Sequence, residues 1–193
     1  ALIPVFVILL QIGGDLMTRL AMIVFLVAAI TDFVDGYIAR KFGWVSDLGK
    51  LLDPLADKIL VMAALVMLVG ERSDLTGDPW VPAWMVVIVL AREIWVTGLR
   101  AVAASQGVVV AARDSGKIKS VLQMSAVVAL LMHNTPISIF SFTVPAQFIG
   151  LNLLFLSLGF SLWGAYNYTI SILLASKEYE NEDLSEEEPP QVH

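Results

Sequence analysis

Four long apolar runs dominate the chain: about Leu20 to Ala39, Leu48 to Val69, Trp80 to Ala104 and Val144 to Ala175. A soluble core of this size cannot cover runs of that length on every side. A hydrocarbon slab about 30 Å thick, by contrast, takes about 20 mostly apolar residues per helix. Composition points the same way: 58% of the 193 residues are hydrophobic and 16% charged, against roughly 45–50% and 25% in soluble domains. Two shorter segments complete the pattern, Ala1 to Ile12 and about Lys117 to Met132. The breaks carry turn chemistry: Gly13-Gly14-Asp15, Gly43, Gly70 to Pro79, Gly107 to Gly116 and Asn134 to Pro136. The expected fold is all-α, a polytopic membrane protein with six transmembrane helices over residues 1–177. The first segment is too short to span alone and is expected to be truncated at its N-terminus.

Charge orients these segments. Arg40, Lys41, Lys50, Arg100, Arg113, Lys117, Lys119 and Lys177 fall at one set of helix ends, while the opposite set holds Arg19 and Arg72. The positive-inside rule turns the first set to the cytoplasm, which places both termini there in a six-span protein. The net charge of −6 belongs to the tail: residues 178–193 hold seven acids and no Lys or Arg, leaving the body with twelve bases and eleven acids. That acidic tail is expected to be solvated and disordered. With no cysteine, a disulfide framework, a thiolate metal site and a Cys nucleophile are excluded.

Four carboxylates, Asp32, Asp35, Asp53 and Asp57, lie inside the second and third apolar segments. A lone charge at a helix centre costs about 2.5–3.5 kcal/mol on insertion scales, so they need each other, a counter-charge, or both. Spacings of three and four put each pair on one helical face, and a helical hairpin can bring the two faces together. Hard oxygen ligands without His or Cys favour Mg²⁺ or Mn²⁺. Buried ion pairs with Arg40, Lys50 and Lys58 are the competing reading, although three bases do not neutralise four acids.

Read as Asp32-x2-Asp35-Gly36-x2-Ala39-Arg40-x8-Gly49-x3-Asp53-x3-Asp57, the stretch resembles the signature of the CDP-alcohol phosphotransferase family. Thr31 to Lys58, Ala91 to Arg100 (AREIWVTGLR) and Gly116 to Ser120 (GKIKS) are similar to the branch of bacterial enzymes that make phosphatidylglycerophosphate. The resemblance implies transfer of a phosphatidyl group from CDP-diacylglycerol to sn-glycerol 3-phosphate with release of CMP, in phospholipid biosynthesis. It implies that Asp32, Asp35, Asp53 and Asp57 bind two Mg²⁺ or Mn²⁺ ions, and that Asp57 takes the acceptor's proton. It also implies that Gly36, Ala39, Arg40, Ser46 and Gly49 bind the donor, with Arg40 at the diphosphate. A homodimer in a bacterial inner membrane, active on the cytoplasmic side, follows from the same source. The family's N-terminal amphipathic stretch is not in this chain, and the acidic tail is not a recognised family feature.

The acceptor is the less constrained half. Glycerol 3-phosphate is a dianion and needs a basic pocket, for which Arg100, Lys117 and Lys119 are the candidates, against plain snorkelling to lipid headgroups. Serine, inositol phosphate or another alcohol are the alternatives within the family. A divalent-cation transporter is the alternative outside it, disfavoured by a fixed Arg40 beside the acids. Arg92-Glu93 is expected to pair internally and His133 to be structural. Trp44, Trp80 and Trp84 are expected to anchor at the membrane interface. Ser157, Gly159, Ser161 and Gly164 are expected to allow close helix packing. Membrane lipids are expected partners; nucleic acid is not.

Overall fold

The computed structural model describes residues 2–42, 47–72, 77–105, 115–133, 135–139 and 142–186. Within these, side-chain surroundings are described outside residues 33, 36, 37, 39, 40, 47–57, 105, 115–117, 137–139, 142–143 and 175–186. Six helices follow one another: α1 (Ile3–Ile12), α2 (Asp15–Phe42), α3 (Asp47–Gly70), α4 (Ala83–Ser105), α5 (Ser115–Leu131) and α6 (Ala146–Glu186). Each occupies one of the apolar segments of the sequence. A two-stranded hairpin, β1 (Pro136–Ile139) with β2 (Phe142–Pro145), joins the last two.

The turns explain the punctuation. Pro4 stands in the first turn of α1, where its missing N–H has no helical partner to lose. Gly13 and Gly14 take φ of 74° and 87°, the left-handed region that ends one helix and lets the next begin two residues later. Phe6 of α1 then meets Phe25 of α2 with ring centroids 5.8 Å apart. The core continues through Leu65 and Leu68 of α3, Val81 and Val89, Val127 and Leu130 of α5, and Leu154 of α6. Side chains pair head to tail along neighbouring helices. Lys58 of α3 reaches Thr97 of α4, and Lys119 of α5 reaches Glu93 of α4. The C-terminal ends of α2 and α4 therefore share one end of the bundle with the N-terminal ends of α3 and α5.

Large apolar side chains face outward along α2, α4 and α6, among them Ile30, Ile94 and Trp163. A soluble protein rarely leaves so much apolar surface in water. Among the described residues, Ala146–Leu174 is the stretch long and apolar enough to cross a membrane by length and composition. Charged residues interrupt α2 to α5, and α1 has 10 residues.

Several details differ from the sequence expectations. The hairpin fills the stretch between the fifth and sixth expected segments and takes Val144 and Pro145 from the start of the sixth; Ile137, Ile139, Phe142, Thr143 and Val144 are β-branched or aromatic and favour strands. The helix of α6 runs on to Glu186, into the tail expected to be disordered, and Glu and Lys are good helix formers. Trp80 is buried, not interfacial, and stacks on the His133 ring with centroids 3.5 Å apart, in keeping with a structural His133. Trp84 is exposed; Trp44 lies outside the described residues. The close helix contact sits not at Gly159, which has open space around it, but at Gly150. A Cβ there would lie 2.6 Å from Leu130 Cγ.

Candidate active site

The signature occupies the end of the bundle where α2 finishes and α3 begins. Asp32 and Asp35 stand one turn apart on α2, the first half-buried and the second exposed. Asp53 and Asp57 take helical positions one turn apart on α3. Their side-chain surroundings, and those of Gly36, Ala39, Arg40 and Gly49, lie outside the described residues, as does Ser46 altogether. Among the described residues no three acids or histidines gather at one point. The donor set itself fits a divalent ion: four carboxylates at i, i+3 and i, i+4 spacing supply hard oxygen ligands and no soft ones.

One residue beyond Asp57 begins a second constellation, centred on Glu93. This carboxylate is buried at 4% exposure near the middle of α4. Its Oε1 accepts from Arg92 Nη1 at 2.8 Å and from the ammonium of Lys119 on α5. Its Oε2 lies 3.5 Å from Lys58 Nζ, which also donates to Thr97 Oγ1 at 3.0 Å. Arg92 Nε donates in turn to the carbonyl oxygen of Ser161 at 3.0 Å. Helices α3, α4, α5 and α6 are thus fastened to one acid. Removing a single partner from a buried ionic set of this kind destabilises by about 3–5 kcal/mol, because the remaining charges stay uncompensated.

The described members of this set do not balance: three cations face one anion. Beside them, between α3, α4 and α5, lies a cavity of about 70 Å³, lined by Lys58, Glu93, Lys119, Ser120 and Gln123 on its polar side and by Val61, Met62, Val89 and Met124 on its apolar side. Among its described lining residues two cations, Lys58 and Lys119, face the one anion Glu93, and a cavity with such an excess is suited to an anion. Lys119, expected to bind the acceptor, therefore lies at the cavity, and the internal pairing expected of Arg92 and Glu93 is present. Arg100 lies seven residues from Glu93, close to the same α4 face, and is exposed, with its guanidinium 5.5 Å from the centre of the Tyr168 ring. The surroundings of Lys117 lie outside the described residues.

Sequence reasoning missed Lys58 and Gln123 as members of this pocket, and Glu93 as its hub. Glu93 and Thr97 stand four residues apart on α4, and Lys119 and Gln123 do so on α5. Polar residues repeating on one face of an apolar helix were the available signal. At the far end of the bundle a larger cavity of about 370 Å³ is lined by Asp15, Thr18, Arg19 and Thr135 together with Met22, Leu131, Met132 and His133.

Residues 1–164 match the family model of the CDP-alcohol phosphatidyltransferases. The chain is 49% identical over 154 residues to the CDP-diacylglycerol–glycerol-3-phosphate 3-phosphatidyltransferase of Bacillus subtilis, covering 74% of this chain and 76% of that protein. It is 41% identical over 132 residues to the protein of the same name from Rickettsia bellii, with 68% and 69% covered. A rice cardiolipin synthase (CMP-forming) is 37% identical over 156 residues, covering 75% of this chain and 46% of that protein. With the signature aspartates on α2 and α3 and a family match over most of its length, the chain belongs to the CDP-alcohol phosphatidyltransferase family.

Proposed function

We propose that the chain is a phosphatidylglycerophosphate synthase, transferring the phosphatidyl group of CDP-diacylglycerol to sn-glycerol 3-phosphate and releasing CMP. The observation that carries the acceptor choice is the cationic cavity beside the signature. Among its described lining residues Lys58 and Lys119 outnumber Glu93, with Arg92 on the same carboxylate, and this positive excess suits a phosphate monoester better than the zwitterion serine. The names of the Bacillus and Rickettsia relatives support the same pair of substrates.

In this mechanism Asp32, Asp35, Asp53 and Asp57 hold Mg²⁺ or Mn²⁺, which when bound supplies charge neutralisation at the donor's diphosphate. Arg40 clamps that diphosphate, Ser46 hydrogen-bonds the cytidine end, and Gly36, Ala39 and Gly49 allow the donor close to the backbone. The acceptor's hydroxyl oxygen forms a bond to the phosphatidyl phosphorus while the bond from that phosphorus to CMP breaks. Asp57 takes the hydroxyl proton, and geometry matters more than its ordinary pKa. Lys119, Lys117 and Arg100 hold the acceptor's phosphate. Phosphoryl transfer asks of the protein mainly such positioning and neutralisation.

The outward-facing apolar side chains of α2, α4 and α6 and the placement of the basic ends support six spans, with the site opening to the cytoplasm of a bacterial inner membrane. The protomer is taken to work as a homodimer. A second reading, in which the acceptor is itself a lipid, draws on the likeness to the rice cardiolipin synthase. An acceptor panel separates the readings. Purified protein with CDP-diacylglycerol and Mg²⁺ is expected to release CMP with glycerol 3-phosphate, and not with serine, inositol, inositol phosphate or phosphatidylglycerol. Release with phosphatidylglycerol and not with glycerol 3-phosphate would replace this reading by the second.

A further inference from the structure

The cavity beside Glu93 holds a group that neither the signature nor the ion pairs use. Gln123 of α5 is buried at 5% exposure, lines the cavity, and among the described residues has no hydrogen-bond partner for its Nε2. Buried amide donors are nearly always satisfied, and leaving one unmade is costly. An unpartnered donor on the polar side of a largely apolar cavity therefore marks a place where a ligand supplies the acceptor. Gln123 lies one turn beyond Lys119 on α5, so both address the same volume. One water occupies roughly 10–15 Å³, and a cavity of about 70 Å³ has room for a phosphate group. Water alone would satisfy the amide and leave the positive excess of the described lining residues unanswered. A phosphate answers both.

Resting on the acceptor reading above, we infer that Gln123 is an acceptor-recognising residue whose side-chain N–H donates to the phosphate of the acceptor, beside Lys58 and Lys119. Its neutrality is what it adds. A fourth cation would raise the repulsion among the three already present, whereas an amide contributes a directional donor and no charge. The lysines then supply attraction, and Gln123 fixes where the phosphate sits along the α5 face.

The test uses the full chain in detergent and compares the parent with Gln123→Met, which keeps the length and the apolar volume and removes the donor. Acceptor KM is expected to rise about ten-fold or more, the scale of one lost hydrogen bond to a charged group, with donor KM unchanged. Inorganic phosphate gives a readout that needs no turnover. It should raise the thermal unfolding midpoint of the parent, and Gln123→Met should need about ten-fold more phosphate for the same rise. Should Gln123→Met fail to fold, Gln123→Asn, which sets the amide one carbon short, carries the same comparison. A folded variant with the parent's acceptor KM and the parent's phosphate response overturns the inference. Absence of CMP release with glycerol 3-phosphate in the parent overturns the acceptor reading instead. A Gln123-dependent phosphate response in that case keeps Gln123 as an anion ligand for another phosphorylated acceptor.

Discussion

Lys119 and Glu93, 26 residues apart on α5 and α4, form a buried ion pair. The pair draws Arg92 and Lys58 to the same carboxylate. Deleting the acid leaves three cations, two of them largely buried, facing each other without a described counter-charge. Glu93→Ala is expected to lower stability by about 3–5 kcal/mol, read as a fall in the unfolding midpoint in detergent. A double-mutant cycle with Lys119→Met should show coupling, since the second substitution removes part of the repulsion the first creates. Strict additivity of the two losses would mean that the pair does not hold the helices together.

The donor and acceptor halves of the site should separate in kinetics. Gln replacements of Lys117, Lys119 and Arg100 each remove a charge-assisted contact, about 1.5–3 kcal/mol, and should raise acceptor KM by one to two decades with little change at the donor. Arg40→Gln should do the reverse. Parent acceptor KM in all three well-folded variants would reduce those bases to headgroup contacts and withdraw glycerol 3-phosphate.

Metal dependence should reside in the signature aspartates. Asp32→Asn, Asp35→Asn and Asp53→Asn are each expected to cut turnover strongly and to move the Mg²⁺ or Mn²⁺ titration to higher concentration, with helical content by circular dichroism unchanged. Removing the metal with a chelator should abolish CMP release in the parent, and re-addition should restore it. Turnover that survives chelation would leave the four carboxylates without this role.

Helix contact at α5 and α6 offers a purely structural test. A Cβ on Gly150 would lie 2.6 Å from Leu130 Cγ and 3.1 Å from the Ala126 carbonyl oxygen. Gly150→Ala should therefore push the two helices apart, with an overpacking penalty of about 1–3 kcal/mol. At Gly159 nothing lies within 4 Å, and the same change should be neutral or slightly stabilising through helix propensity. Equal unfolding midpoints for the two variants would contradict the close approach at Gly150.

The helices were legible because apolar runs and turn residues agree: every segment read from the sequence contains a helix, with ends displaced by a few residues except in α6, which runs on from Ala175 to Glu186. The signature was legible because its spacing is local to two adjacent helices. What stayed hidden is non-local. Nothing in the order of residues says that Lys58, Glu93 and Lys119 share one cavity, because that depends on how α3, α4 and α5 turn about their own axes. The hairpin at 136–145 was hidden for another reason: four-residue strands of apolar, β-branched residues read the same as the start of an apolar helix. Gly150 stood among other small residues of α6, and only the proximity of Leu130 distinguishes it.

α6 is longer than any bilayer needs. Its 41 residues, at about 1.5 Å each, make a rod about 60 Å long, roughly twice the thickness of the hydrocarbon slab. Its apolar stretch ends at Leu174, and the turns that follow, from Lys177 to Glu186, are rich in acid. In a membrane these turns stand clear of the surface as a mast, and an anionic leaflet repels the mast instead of letting it lie down. The reaction proposed for the site makes an anionic lipid. The enzyme would then carry its own spacer against the surface it is charging, holding crowded neighbours at a distance on the side where substrates enter.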